Sequence, residues 1–139
     1  MLYWLPEDLP MHIVLLLSAI PLLLTSAPLE VESGAPKRVE VILADFSFSP
    51  RTIRLRANEQ VVLRLTNRGS GGHNFSAPEF FAKARLDPAS AALARKGKVE
   101  VKKGASVDLT LTPAEGRYKL KCMHFLHSAF GMKGEIIVE

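Results

Sequence analysis

The sequence predicts an all-β domain of the sandwich or barrel kind, and three observations carry that prediction. From Val39 onward apolar and polar residues alternate with a period of two. The alternating runs are short and rich in β-branched and aromatic residues. Gly, Pro, Asn and Ser punctuate the gaps between them, at the spacing of sandwiches and barrels.

Taken in order, Val39–Leu43 reads as the first strand, and Phe46-Ser47-Phe48 alternates until Ser49-Pro50 stops it. Thr52–Arg56 puts Ile53 and Leu55 on one face, and Ala57-Asn58-Glu59 is a turn. Val61–Thr66 is a strong strand, closed by Asn67-Arg68-Gly69-Ser70-Gly71-Gly72. His73–Ser76, Val99–Val101, Ser106–Thr112, Arg117–Cys122 and Glu135–Val138 complete the set. The Ala-rich segment Pro78–Gly97 breaks the pattern. Asp87 can cap a helix there, Pro88 suits its first position, Arg95 and Lys96 fall in its last turn, and Gly97 can end it. One short helix over Pro88–Lys96, inserted between strands, is therefore expected.

The segment before the domain has a different character. Ile13 to Leu24 is an apolar run of 12 residues interrupted by Pro21. A spanning helix needs about 20 apolar residues, so the run fits the core of a secretory signal better. Thr25-Ser26-Ala27 supplies small residues near a cleavage point. Two details depart from the usual pattern: no Lys or Arg precedes the run, and Pro28 follows Ala27 directly. A start at Met11 repairs the region before the run, and a cut a few residues later repairs the second. The expected organisation is a leader over 1–27, a linker over 28–37 and one domain over 38–139, in an exported or periplasmic protein.

Charge divides along the same boundary. All 18 basic residues lie at or after Lys37, with 10 acidic ones, a formal +8 over 37–139. The first 36 residues carry −4. Such a field favours an acidic partner or an anionic membrane surface. The basic residues are spread out, without the aromatic interleaving of a nucleic-acid binder, so no nucleic acid is expected.

Cys122 is the one cysteine of the chain. An unpaired thiol is a liability in an exported protein, and its bland explanation is a small buried hydrophobe. The residues after it argue otherwise: Cys122-Met-His-Phe-Leu-His127-Ser-Ala-Phe-Gly-Met132 places a thiolate, an imidazole and a thioether within eleven residues. His73 offers a second imidazole just past the Gly-rich turn. Thiolate and thioether favour Cu(I), and imidazole accepts both copper states. Two His, one Cys and a weak axial Met make a trigonal site that serves both. Binding also deprotonates and protects the thiol.

The segment Tyr118-Lys-Leu-Lys-Cys122, His127 and Gly131-Met132-Lys-Gly134 resembles the copper loop of the cupredoxins, in the subgroup with Cys-x4-His-x4-Met spacing. His73-Asn74 resembles the family's upstream ligand and its neighbour, and Asp45-Phe-Ser-Phe-Ser-Pro50 its early strands. The resemblance spans about residues 39–139. It implies a Greek-key β-sandwich of about eight strands, one copper ion and an electron-shuttling role. It further implies His73, Cys122 and His127 as equatorial ligands, Met132 as the axial one, and Asn74 as the neighbour whose hydrogen bonds fix the Cys loop. Many relatives carry Pro-Gly before the second His. Phe125-Leu126 stands there in this chain, and the Pro88–Lys96 helix is additional to the minimal fold.

Other residues have plainer readings. His124 is read as supporting or structural, since no His-x-His repeat accompanies it. Met123 is read as packing, and Phe80 and Phe81 as core. Phe125, Leu126 and Phe130 are either core or an apolar rim about His127. The leading function is a monomeric, non-enzymatic electron carrier serving a redox partner with an acidic docking surface, in the periplasm or at a membrane surface. The competing reading is copper handling, as a chaperone, store or resistance factor. Such proteins tend to use Met-rich or multi-Cys sites that exchange metal readily. This chain has four Met, two of them in the leader region.

Overall fold

The computed structural model describes residues 34–124 and 130–139. The expected leader and most of the linker, together with Phe125, Leu126 and His127, lie outside the described residues. Among the described residues ten strands form two five-stranded sheets. They are β1 (Lys37–Ala44), β2 (Ser47–Ser49), β3 (Thr52–Leu55), β4 (Val61–Asn67), β5 (His73–Ser76), β6 (Arg85–Leu86), β7 (Lys98–Val101), β8 (Ser106–Thr112), β9 (Gly116–Lys121) and β10 (Lys133–Val138). One sheet has the order β2-β1-β4-β8-β6 and the other β3-β10-β9-β5-β7. Pairs β1/β4 and β3/β10 are parallel, and the remaining pairs are antiparallel.

Period-two alternation builds the core. In β4, Val61, Leu63 and Leu65 turn inward while Arg64 and Thr66 face out. Val41, Leu43, Leu109 and Leu111 join them from the same sheet. The other sheet contributes Ile53, Phe75, Val99, Val101, Tyr118, Leu120, Ile136 and Val138. The outer face of the first sheet carries paired charges, with Asp108 accepting from Arg38 at 3.0 Å and Arg64 at 3.2 Å.

The all-β sandwich matches the expectation in class, and its details extend it. Two of the ten strands, β2 and β6, are only three and two residues long. Two short helices occupy the Ala-rich segment. α1 (Pro78–Lys83) was not anticipated, although Pro78 at its start, Glu79 in its first turn and Lys83 in its last are standard signals. Its Phe80 and Phe81 are buried, as the sequence suggested.

α2 runs over Pro88–Leu93, shorter than the expected Pro88–Lys96. Its start is as read, with Asp87 accepting from the Ser90 N–H at 2.7 Å. The end differs because Arg95–Gly97 forms a tighter 3-10 turn in which Lys96 (φ 57°) and Gly97 (φ 72°) are both left-handed. Gly97 is obligatory there, because a Cβ would lie 2.4 Å from Cα of Pro78. Among the described residues no helix is long and apolar enough to cross a membrane.

Candidate metal centre

Three of the residues singled out by their chemistry, His73, Cys122 and Met132, converge at one end of the sandwich. Strands β9 and β10 are antiparallel with Lys121 opposite Lys133, so the next residues, Cys122 and Met132, begin and end the connecting loop. The Cys122 N–H donates to the Met132 carbonyl at 3.1 Å, which closes the loop at its base. Strand β5 lies beside β9 with Ser76 opposite Lys121, and this register carries His73 and Asn74 to the same loop. His73, Cys122 and Met132 are each fully buried. Nδ1 of His73 lies 4.0 Å from Sγ of Cys122.

Asn74 joins the two segments. Its backbone N–H donates to the Cys122 sulfur at 3.5 Å, and its side-chain oxygen accepts from the Met123 N–H at 2.8 Å. Its amide Nδ2 donates to Glu100 on β7 at 3.2 Å. The other Glu100 oxygen lies 3.1 Å from Nε2 of His124. His124 is thus tied to the strand that braces Asn74. Burial pushes the Glu100 carboxyl up, but hydrogen bonds from His124, Lys98 and Asn74 outweigh it and hold it below the ordinary value. The anion is therefore retained at neutral pH. Its contribution to stability is lost only as pH falls from the ordinary carboxylate range through the lowered one.

Three residues outside the expected set complete the surroundings. Asp45 occupies the β1–β2 turn, and its Oδ1 is 3.1 Å from Nε2 of His73. Asn67, at the end of β4, is buried. Its Nδ2 donates to the carbonyls of Gly71 and Val101, both at 2.9 Å, and its oxygen accepts from the Gly69 N–H at 2.8 Å. It staples the Gly-rich loop that leads into His73. Glu100 is the third. Asn67 carried a legible signal, an amide at the head of a Gly-rich turn. Asp45 and Glu100 carried none, because each acts across strands. Asn67→Ala should destabilise the metal-free protein by about 2–4 kcal/mol, since three backbone groups, two of them buried, lose their partner. Urea unfolding should show a lower midpoint with an unchanged slope. A loss below about 0.5 kcal/mol contradicts the staple.

Met123 is not packing, as the sequence suggested, but 53% exposed, because the residue following Cys122 turns out of the sheet. Phe46 and Phe130 are 45% and 65% exposed, and their rings meet edge to face at 5.7 Å. These three apolar side chains stand near the loop on the surface. Among the described residues no three His, Cys, Asp or Glu side chains gather into a metal-holding group. His127 lies outside those residues, and a thioether is not of that donor class.

The arrangement passes a simple test of fit to a metal. An ion bound at about 2.0 Å to nitrogen and about 2.3 Å to sulfur holds the two atoms about 3.5–4.3 Å apart, depending on the angle. The observed 4.0 Å lies within that range, and is long for a hydrogen bond. The donors are soft sulfur and imidazole, the set suited to copper.

The sequence matches the cupredoxin-like domain family over residues 13–138, and the chain belongs to that family. Solved structures share its fold. Dithionite-reduced auracyanin from the photosynthetic bacterium Roseiflexus castenholzii superposes with a TM-score of 0.56 at 18% identity, covering 76% of this chain and 99% of that one. Auracyanin B gives 0.55 at 23% identity, covering 76% and 91%. A multicopper oxidase from Campylobacter jejuni, a metallo-oxidase, gives 0.56 at 13% identity, covering 76% of this chain but 31% of the oxidase. No curated protein sequence matches the chain closely enough to count as a relative.

Proposed function

We propose that the chain is a mononuclear copper carrier that holds one ion through His73, Cys122, His127 and Met132 and passes single electrons, without catalysing a reaction of its own. The observation that carries this reading is the buried pairing of His73 Nδ1 with Cys122 Sγ at 4.0 Å, at the base of a loop closed by Met132. Copper, when bound, supplies the one-electron couple. The chain's own residues hold His73, Cys122 and Met132 still and dry. Asn74 donates to the sulfur from its backbone, the Cys122–Met132 backbone bond fixes the span of the loop, and full burial excludes water. Donors braced this way rearrange little between oxidation states, which keeps the barrier to electron transfer low. The same bracing disfavours easy metal exchange and so favours a carrier over a copper chaperone or store.

Two measurements separate these readings. Voltammetry of the copper-loaded protein should give a reversible one-electron wave, and the ion should survive incubation with a chelator. An irreversible wave with rapid loss of copper favours handling over transfer. Within the same site, Met132→Gln should retain copper and lower the reduction potential, because a harder oxygen donor favours Cu(II). An unchanged potential, or loss of the ion, counts against Met132 as a weak donor that would tune a bound ion.

The partner this reading implies is a protein with an acidic face. Support comes from the end of the β9–β10 pair beside the loop. Lys121 and Lys133 sit directly opposite each other, and Lys119 is exposed two residues away. Like charges across a strand pair cost stability, so their presence fits a use outside the fold. Phe46, Met123 and Phe130 supply exposed apolar surface for close approach. Screening acts over about 8–10 Å at ordinary salt. Electron-transfer rates with an acidic partner, or with a negatively charged small oxidant, should fall as salt rises. Lys121→Glu or Lys133→Glu should lower them further with copper intact. Rates that ignore both salt and reversal would remove the electrostatic part of this reading. The leader's composition fits a chain that performs this role after export.

A further inference from the structure

Asp45 lies 28 residues before His73, in a turn that joins two strands of the opposite sheet. The turn is a two-residue hairpin, since Ala44 pairs with Ser47. Its second residue, Phe46, has φ 62°, a conformation that hairpins normally reserve for Gly or Asn. The turn brings the carboxylate to the edge of the buried imidazole, where Oδ1 sits 3.1 Å from Nε2. Asp45 is itself held there. Its two oxygens accept from the Ser70 N–H at 2.9 and 3.1 Å.

A carboxylate can only accept, so this contact places the ring proton on Nε2. In the neutral ring, Nδ1, the nitrogen facing the Cys122 sulfur, then carries the lone pair. The space is reserved as well. Gly69 lies against both groups, and a Cβ there would be 2.3 Å from Nε2 of His73 and 2.7 Å from Oδ1 of Asp45.

We propose that Asp45 is a positioning residue of the metal centre, which fixes the orientation and tautomer of His73 and lowers the reduction potential by holding one negative charge against the far nitrogen of that ligand. The proposal rests on the copper reading of the site. A charge placed there stabilises the more positive oxidation state, and a hydrogen bond to a ligating imidazole raises its basicity in the same direction. The side chain is 44% exposed, so bulk screening weakens its field, but the contact to the ring is direct.

The test uses the full chain and two variants. Asp45→Asn keeps an oxygen that can accept from Nε2–H and removes the charge. It should retain copper and raise the reduction potential. Asp45→Ala removes both and should raise the potential while weakening copper affinity about 10–100-fold in chelator competition. A readout independent of the ion is the nitrogen NMR of His73 in the metal-free protein. The wild type and Asp45→Asn should show a proton on Nε2, and Asp45→Ala a mixture of tautomers. Unfolding curves of the metal-free variants check that each is folded, and Asp45→Asn remains decisive if Asp45→Ala is not. An Asp45→Asn protein with the wild-type potential overturns the proposal, and so does a folded Asp45→Ala protein with wild-type affinity. A wild type that takes up copper without forming a thiolate bond overturns the copper reading and this proposal together. The other two results overturn this proposal alone.

Discussion

Cys122→Ser should abolish the intense visible absorption of the copper-loaded protein. The band expected of the wild type arises when electron density moves from a thiolate sulfur to Cu(II). A serine oxygen at the same position has no comparable donor level in the visible range. The change is nearly isosteric, and Cys122 is fully buried between the end of β9 and Asn74, so the fold has little reason to alter. The Asn74 N–H can donate to a serine oxygen as it does to sulfur. Copper affinity should fall as well, because a soft thiolate is replaced by a neutral hydroxyl. Titration with Cu(II), followed by absorption, checks both effects. A serine variant that remains intensely coloured would mean that the colour arises elsewhere in the chain.

Gly69→Ala should damage the centre without touching any donor. Its Cβ would enter the space of the His73 ring and the Asp45 carboxylate at 2.3 and 2.7 Å, distances that force one of them to move. The ring is fully buried, so it cannot swing aside into solvent. Overpacking of this kind costs about 1–3 kcal/mol. A displaced imidazole should also lower copper affinity about 10–100-fold. Gly71→Ala is the matched control, since a Cβ there meets nothing within 4 Å. Chelator competition and urea unfolding on the pair should separate them clearly. Equal behaviour of the two variants would show that the loop yields and that the His73 position is not held by packing.

Much of this architecture is legible in the sequence for a local reason. Alternation in Val61–Thr66 and Ser106–Thr112 reports which face is buried, and the strands follow from it. Cys122 and Met132 belong to one hairpin loop, so their proximity follows from spacing once β9 and β10 are paired. His73 was reachable because it directly follows a Gly-rich turn at the head of a strand. What the sequence hides is contact made across strands. Nothing near Asp45 marks it as a neighbour of His73, because only the parallel pairing of β1 with β4 brings the β1–β2 turn beside the loop after β4. Glu100 reaches Asn74 and His124 only through the β5–β7 register. The helix ending was misread for a subtler reason. Arg95 and Lys96 look like a favourable last turn, yet Lys96 adopts a left-handed conformation that stops the helix early. Met123 shows the limit of composition, because an apolar residue beside a buried cysteine need not itself be buried.

The most direct test of the central claim is the visible and spin-resonance spectrum of the wild-type chain loaded with one equivalent of Cu(II). The account predicts one tightly held ion per chain, an intense visible band, and the narrowed copper hyperfine splitting that accompanies strong delocalisation onto a thiolate sulfur. A pale protein with only weak absorption and the wide splitting of ordinary nitrogen- and oxygen-bound Cu(II) would contradict it.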